Sequence, residues 1–173
     1  MSINVTSTFD KFGKYVVQQA KSNLTRKKKN ASKELYNSLS YDIKQSKNSF
    51  EFSISMEDYG IYIDRGVEGV GGAGWTKKRV THNDFKYRNK RPPAKVFNGW
   101  VIRRGIAPRD KAGKFVSRKS IMFAIANSVY HTGLETTDFF TLPFTRAFKS
   151  LPDEIVEAYG LDMEQLLQNA INN

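Results

Sequence analysis

The stretch 49–56 reads SFEFSISM, and it leaves the backbone fewer choices than any other part of the chain. Phe50, Phe52, Ile54 and Met56 alternate with Ser49, Glu51, Ser53 and Ser55. A period of two puts the apolar side chains on one side of an extended backbone and the polar ones on the other. The segment therefore predicts a half-buried strand. LYNSLSYDIKQ (35–45) precedes it as a weaker strand, with SKNS (46–49) as the turn between them. Together they predict an antiparallel hairpin.

Helical spacing surrounds the hairpin. Phe9, Phe12, Val16, Ala20 and Leu24 recur at steps of three and four, which predicts a helix over 7–29 capped by Ser7 or Thr8. That helix runs into RKKKN (26–30), and a cationic last turn suits the negative end of the helix dipole. EDYGIYIDRG (57–66) is too short for periodicity to choose between a short helix and a third strand. From Gly66 to Arg91 nothing is periodic. Five glycines fall between 66 and 74, so this is a loop of about 25 residues, longer than compact domains usually carry without a reason.

Pro92 and Pro93 open a helix over 92–105, lined by Val96, Phe97, Trp100 and Val101 and ended by Gly105. A basic connection (106–120) leads to an apolar helix at 120–133, with His131 in its last turn and Gly133 as terminator. Another helix starts at Pro143. Pro152 starts or bends the last one, with Asp153 and Glu154 in its first turn. The order predicts one α+β domain over 1–173. A small antiparallel β-sheet is packed by an N-terminal helix and several C-terminal helices, with an extended basic Gly-rich loop at 66–91.

Charge narrows the partners. The chain carries 28 Lys and Arg against 17 Asp and Glu, a net +11. Fifteen of the cations stand between 77 and 119 with only Asp84 and Asp110, so this window is +13 and the rest of the chain is −2. Such asymmetry points to an acidic partner, nucleic acid or an acidic protein surface, and the plainer reading is a solvated face. Zero cysteines exclude disulfides, thiolate catalysis and cysteine metal sites. No stretch approaches the roughly 18 apolar residues of a membrane helix. The N-terminus lacks the layout of a signal peptide, which points to work in the compartment of synthesis.

GVGGAG (69–74) has the spacing G-x-G-x-x-G. A dinucleotide turn has to open a helix and be followed by an acidic residue about 20 positions on. WTKKRVTHNDFKYRNKRPP follows instead, so no cofactor is expected. Glycines here suit a mobile chain or a close fit to a neighbour. His82 lies near Asp84 in THND, and His131 reads as a helix-terminal cation. Glu57, Asp58 and Asp64 lie close in sequence, a pattern that a solvated face explains better than a bound cation. No metal-binding or nucleophile motif appears, so no enzymatic activity is expected. Trp75, Phe85 and Tyr87 are interleaved with cations, a mixture that pairs phosphates and stacks bases. No helix-turn-helix, RRM or zinc pattern accompanies it.

SKELYNSLSYDI followed by FEFSISMEDYGIYIDRGVEG resembles the tail-completion family of tailed bacteriophages, the proteins that join neck to tail. Its tyrosine–small–x–tyrosine–aliphatic–acid–x–glycine segment is Tyr59, Gly60, Tyr62, Ile63, Asp64 and Gly66 here. The usual glycine–threonine after the acid is Gly66–Val67. RPPAKVFNGWVIRRGI, FAIANSVYHTGLETTDFFTLPFTRAF and LPDEIVEAYG are similar to a variant with a long central insertion. The resemblance implies a structural virion protein, made in the host cytoplasm. It would form a homo-oligomeric ring in the neck or tail, with the portal and other neck or tail proteins as neighbours and packaged DNA as a further partner. A ring subunit needs two unlike adhesive surfaces. Gly66, Gly69, Gly72, Trp75, Phe85, Tyr87 and Trp100 are the expected subunit contacts. Lys77, Lys78, Arg79, Arg88, Arg91, Arg103 and Arg104 are expected to meet DNA or an acidic protein. The segment 66–91 is expected to have too little packing of its own and to settle on another macromolecule.

Overall fold

The hairpin forms in the register that the alternation requires, but its first strand is shorter than the expected 35–45, because Glu34–Ser38 is a short helix, α2, that buries Leu35. In the computed structural model, which describes residues 3–46, 49–72, 74–82 and 84–171, β1 (Ser40–Gln45) pairs antiparallel with β2 (Phe50–Ser55). Tyr41 faces Ile54 and Ile43 faces Phe52, while Lys44 faces Glu51 on the wet side. Opposed charges across a strand pair add modestly to the pairing. Ser46 N donates to Ser49 O at 2.8 Å. Residues 47 and 48 of the expected turn lie outside the described residues.

The described residues divide into two compact units. The first takes the described parts of Met1–Arg26, Tyr36–Glu57 and Phe139–Asn173; the second takes Lys27–Leu35 and Asp58–Asp138. With seven helices, the hairpin and one shorter strand pair among the described residues, the fold is α+β.

In the first unit α1 (Ile3–Arg26) buries Val5, Phe12, Val16, Ala20 and Leu24, one face of a helix. It begins four residues before the expected start. The reason is Asp162, whose carboxylate accepts from Asn4 N at 3.1 Å and Val5 N at 3.3 Å, satisfying two of the four orphan donors of a helix start. Thr8, an expected cap, lies inside the helix and donates its hydroxyl to Asn4 O. The helix stops at Arg26 rather than 29, and Lys28 takes a left-handed φ of 54°. Phe12, Val16 and Leu151 form the core, with Phe9, Phe52, Ile54 and Phe144 against them. α6 (Thr141–Phe148) and α7 (Leu151–Ile171) each carry a proline in the first turn, where the missing N–H costs nothing.

Gly13 sits mid-helix because the Tyr41 ring occupies the space of a side chain. A Cβ there would stand 2.5 Å from the Tyr41 ring edge. The ring has little room to retreat, since its hydroxyl donates to Asp10 Oδ1 at 2.6 Å. Gly13→Ala gains about 1 kcal/mol of helix propensity but overpacks the contact by about 1–3 kcal/mol. Net destabilisation, read as a lower urea midpoint, is the expected outcome.

In the second unit 57–66 resolves as a helix, α3 (Gly60–Arg65). β3 (Val67–Glu68) pairs antiparallel with β4 (Gly133–Leu134). The expected helix over 92–105 is two pieces. After extended Pro93, Ala94–Phe97 is a 3-10 turn, and α4 (Asn98–Arg103) follows. α5 (Arg118–Thr132) starts at Ser117, whose hydroxyl accepts from Ser120 N at 3.2 Å.

Candidate interaction surface

The segment 66–91 is tied to its own unit, which corrects the expectation that it lacks packing there. Glu68 N donates to Phe85 O at 2.8 Å and Tyr87 N to Glu68 O at 2.9 Å. Val70 N and Gly71 N donate to the carbonyls of Tyr130 and His131, and Lys78 N to that of Thr132. Arg79 O accepts from Thr136 N. Gly66 and Gly69, expected at a subunit contact, are buried. Gly66 has a φ of 79°, and a Cβ on it would meet Leu134 O at 2.7 Å. A Cβ on Gly69 would collide with His131 O and Gly133 N. Both glycines are required by close backbone approach inside the chain. Gly72 is exposed.

The aromatic residues of the segment are partly used up by the fold. Trp75, 37 % exposed, stacks on His131 at 5.0 Å and 12°. His131 Nδ1 is 2.7 Å from Gly71 O, so this ring nitrogen carries a proton and donates. Phe85 packs edge-on against Tyr62 at 4.6 Å. Tyr87 is half-buried, and that burial pushes its phenol up from the ordinary value. Tyr59, Tyr62, Phe85, Tyr87, Val96 and Phe97 are among the residues lining an apolar groove of about 750 Å³. Trp100 and Ile102 of α4 are exposed, and Val96 is 64 % exposed.

The second unit holds 20 of the 28 cations and 8 of the 17 carboxylates, a net +12, which leaves the first unit at −1. Few of these cations are neutralised. Arg65 pairs with Asp84, and Lys77 and Lys86 share Glu68 at 3.3 and 3.4 Å. The other thirteen cations of 77–119, Lys78, Arg79, Arg88, Arg91, Arg103 and Arg104 among them, make no ion pair among the described residues. Arg104 donates to Lys28 O. Arg109 lies over the Phe115 ring at 3.9 Å. Asp110 is spent on a turn, its Oδ1 accepting from Ala112 N and Lys114 N.

Lys77 and then Lys86 hold the Glu68 carboxyl below the usual carboxylate range. The stabilisation is present above the ordinary glutamate value of about 4.3 and is lost as pH falls through the lowered one. The gap between the urea midpoints of wild type and Glu68→Gln is therefore expected to be constant at neutral pH and to close in acid.

His82 and Asp84, neighbours in THND, take different partners. His82 Nε2 is 2.8 Å from Asp138 Oδ1, while Asp84 is on Arg65. Among the described residues no three His, Asp or Glu side chains gather as a metal site. Asp64 is buried, and its carbonyl accepts from Thr137 N and Asp138 N, both at 2.9 Å.

The first unit carries a surface that sequence reasoning missed. On α7, Leu151, Ile155, Ala158 and Asp162 form the inward face. One residue further round, Val156, Tyr159, Met163 and Leu166 are exposed at steps of three and four, Val156 by 73 %. With Phe9 and Phe50 they line a groove of about 630 Å³. The signal was present as a second apolar stripe in a helix read only for its start.

Compared with models of known protein families, with characterised proteins and with solved structures, the chain matches none. Among the described residues no helix is long and apolar enough to cross a membrane.

Proposed function

We propose that this chain is a non-catalytic structural subunit that assembles head to tail as a ring in the neck or tail of a phage particle, joining portal and capsid to tail. The carrying observation is the partition of its surface. One unit is basic at +12 and the other bears an exposed apolar stripe on an acidic helix. Two unlike adhesive surfaces are what a repeating heterologous contact uses. The resemblance around Tyr59, Tyr62, Asp64 and Gly66 supports the same reading. Light scattering and electron microscopy of the purified chain test it. Closed rings are the expected result, and a monomer at every concentration overturns it.

A second reading, a nucleic-acid-binding protein, is favoured by the thirteen cations without ion pairs. Of the seven cations expected to meet phosphate, Lys77 is held by Glu68. Six phosphate contacts give a log–log salt slope of about −5 on duplex DNA, and a slope near zero excludes the reading.

A further inference from the structure

We infer that the outer face of α7 in one copy docks on α4 and the 3-10 turn before it in a second copy. The inference rests on the ring reading and names its interface.

Three observations carry it. First, both faces are open and apolar. Val156, Tyr159, Met163 and Leu166 stand exposed on α7, and Val96 and Trp100, four residues apart, on the other element. Side chains at steps of three and four make the kind of stripe that pairs with another helix.

Second, the charges are complementary. Leu151–Ile171 contains five carboxylates, of which Asp162 alone is buried, and no cation, whereas 94–104 contains three cations and no carboxylate. Glu157 and Glu164 directly follow Val156 and Met163 of the apolar stripe. Lys95 directly precedes Val96, and Arg103 lies three residues after Trp100.

Third, the charges exclude the simpler alternatives. α7 against α7 opposes carboxylates, and α4 against α4 opposes cations, so each symmetric pairing is repelled. The attractive combination joins unlike faces. Repeated head to tail it builds a ring, whereas a reciprocal exchange between two copies closes as a dimer, and the ladder described below separates the two. Each copy then offers α7 to one neighbour and α4 to the other. The cations of 77–91 and 109–119 other than Lys77 and Lys86 stay free for a different partner.

The absence of cysteine makes the test clean. Val156→Cys and Val96→Cys are prepared separately and mixed, then treated with a short thiol–thiol cross-linker. Both positions are exposed, and far-UV circular dichroism checks each fold. Expected is a cross-linked dimer in the mixture and none in either variant alone. A chain carrying both substitutions should give a ladder that ends at the subunit number of the ring. Charge reversal supplies a second measurement. Glu157→Lys with Glu164→Lys should weaken association at least tenfold, as should Lys95→Glu with Arg103→Glu. Mixing the two reversed chains should restore it, since every contact between them is again between opposite charges.

Cross-linking of Val156→Cys to itself overturns the docking. So does assembly by light scattering with no cross-link in the mixture and no effect of charge reversal, and in both cases the ring reading stands. Wild type that stays monomeric at all concentrations removes the ring reading and the docking with it.

Discussion

Alanine at position 69 should destabilise the second unit by about 3 kcal/mol, the upper range for forcing atoms into a filled space. The cause is the collision of its Cβ with His131 O and Gly133 N, which are backbone atoms and cannot swing aside. Relief requires the 66–71 segment to withdraw from the end of α5. That breaks the donations of Val70 N to Tyr130 O and Gly71 N to His131 O, each worth about 1 kcal/mol. Both tryptophans of the chain, Trp75 and Trp100, belong to this unit. Intrinsic fluorescence therefore follows its unfolding, and the Trp75 stack on His131 is lost with the segment. An unchanged urea midpoint by fluorescence in Gly69→Ala would show that the backbone contact is not as close as described. Gly74→Ala is the control, because a Cβ there meets nothing within 4 Å; its cost comes only from the strained φ of 78°.

Phe12→Ala should cost about 3–5 kcal/mol, the range for removing a buried aromatic ring and leaving a cavity. Phe12 is 6 % exposed. Its ring stands edge-on to Phe52 at 5.2 Å and to Phe144 at 5.7 Å, so one side chain joins α1 to the hairpin and to α6. The loss falls on the first unit, which has no tryptophan, and far-UV circular dichroism is the appropriate readout. Phe12→Leu keeps most of the volume and is expected to lose much less. Equal losses in the two variants would mean that the ring geometry, rather than the filled volume, holds the cluster.

Local pattern made the hairpin and the long helices legible. Phe50, Phe52 and Ile54 announce one face of a strand, and Phe12, Val16 and Ala20 one face of a helix, without reference to any distant residue. Gly133 marked the end of α5 for the same reason, since a left-handed φ of 82° is a local requirement. The misread parts depend on partners far along the chain. The start of α1 is set by Asp162, and no residue near Asn4 signals it. The loop 66–91 looked unanchored because its bonds run to the backbone of 130–136, and backbone donors leave no trace in composition. Sequence placed His82 with Asp84 by proximity, whereas the fold gives it Asp138. The concentration of cations was legible as a number. That Lys27, Lys28, Lys29 and Lys33 join it in one compact unit was not, because they come from a separate stretch.

The interleaving of the two units has a consequence for biosynthesis. The first unit is completed by contacts such as Asn23 Nδ2 to Phe139 O, across 116 residues, and Asn4 N to Asp162, across 158. During translation α1 precedes Phe139 and the helices after it by more than a hundred residues, so the part of its apolar face that they cover stays open on the order of ten seconds at cellular elongation rates, while the hairpin reaches the rest sooner. Nearly all of the basic unit, Asp58–Asp138, emerges within that interval. The nascent chain thus passes through a stage in which a cationic body can form while a greasy helix is only partly covered, the stage at which a chaperone has most to offer.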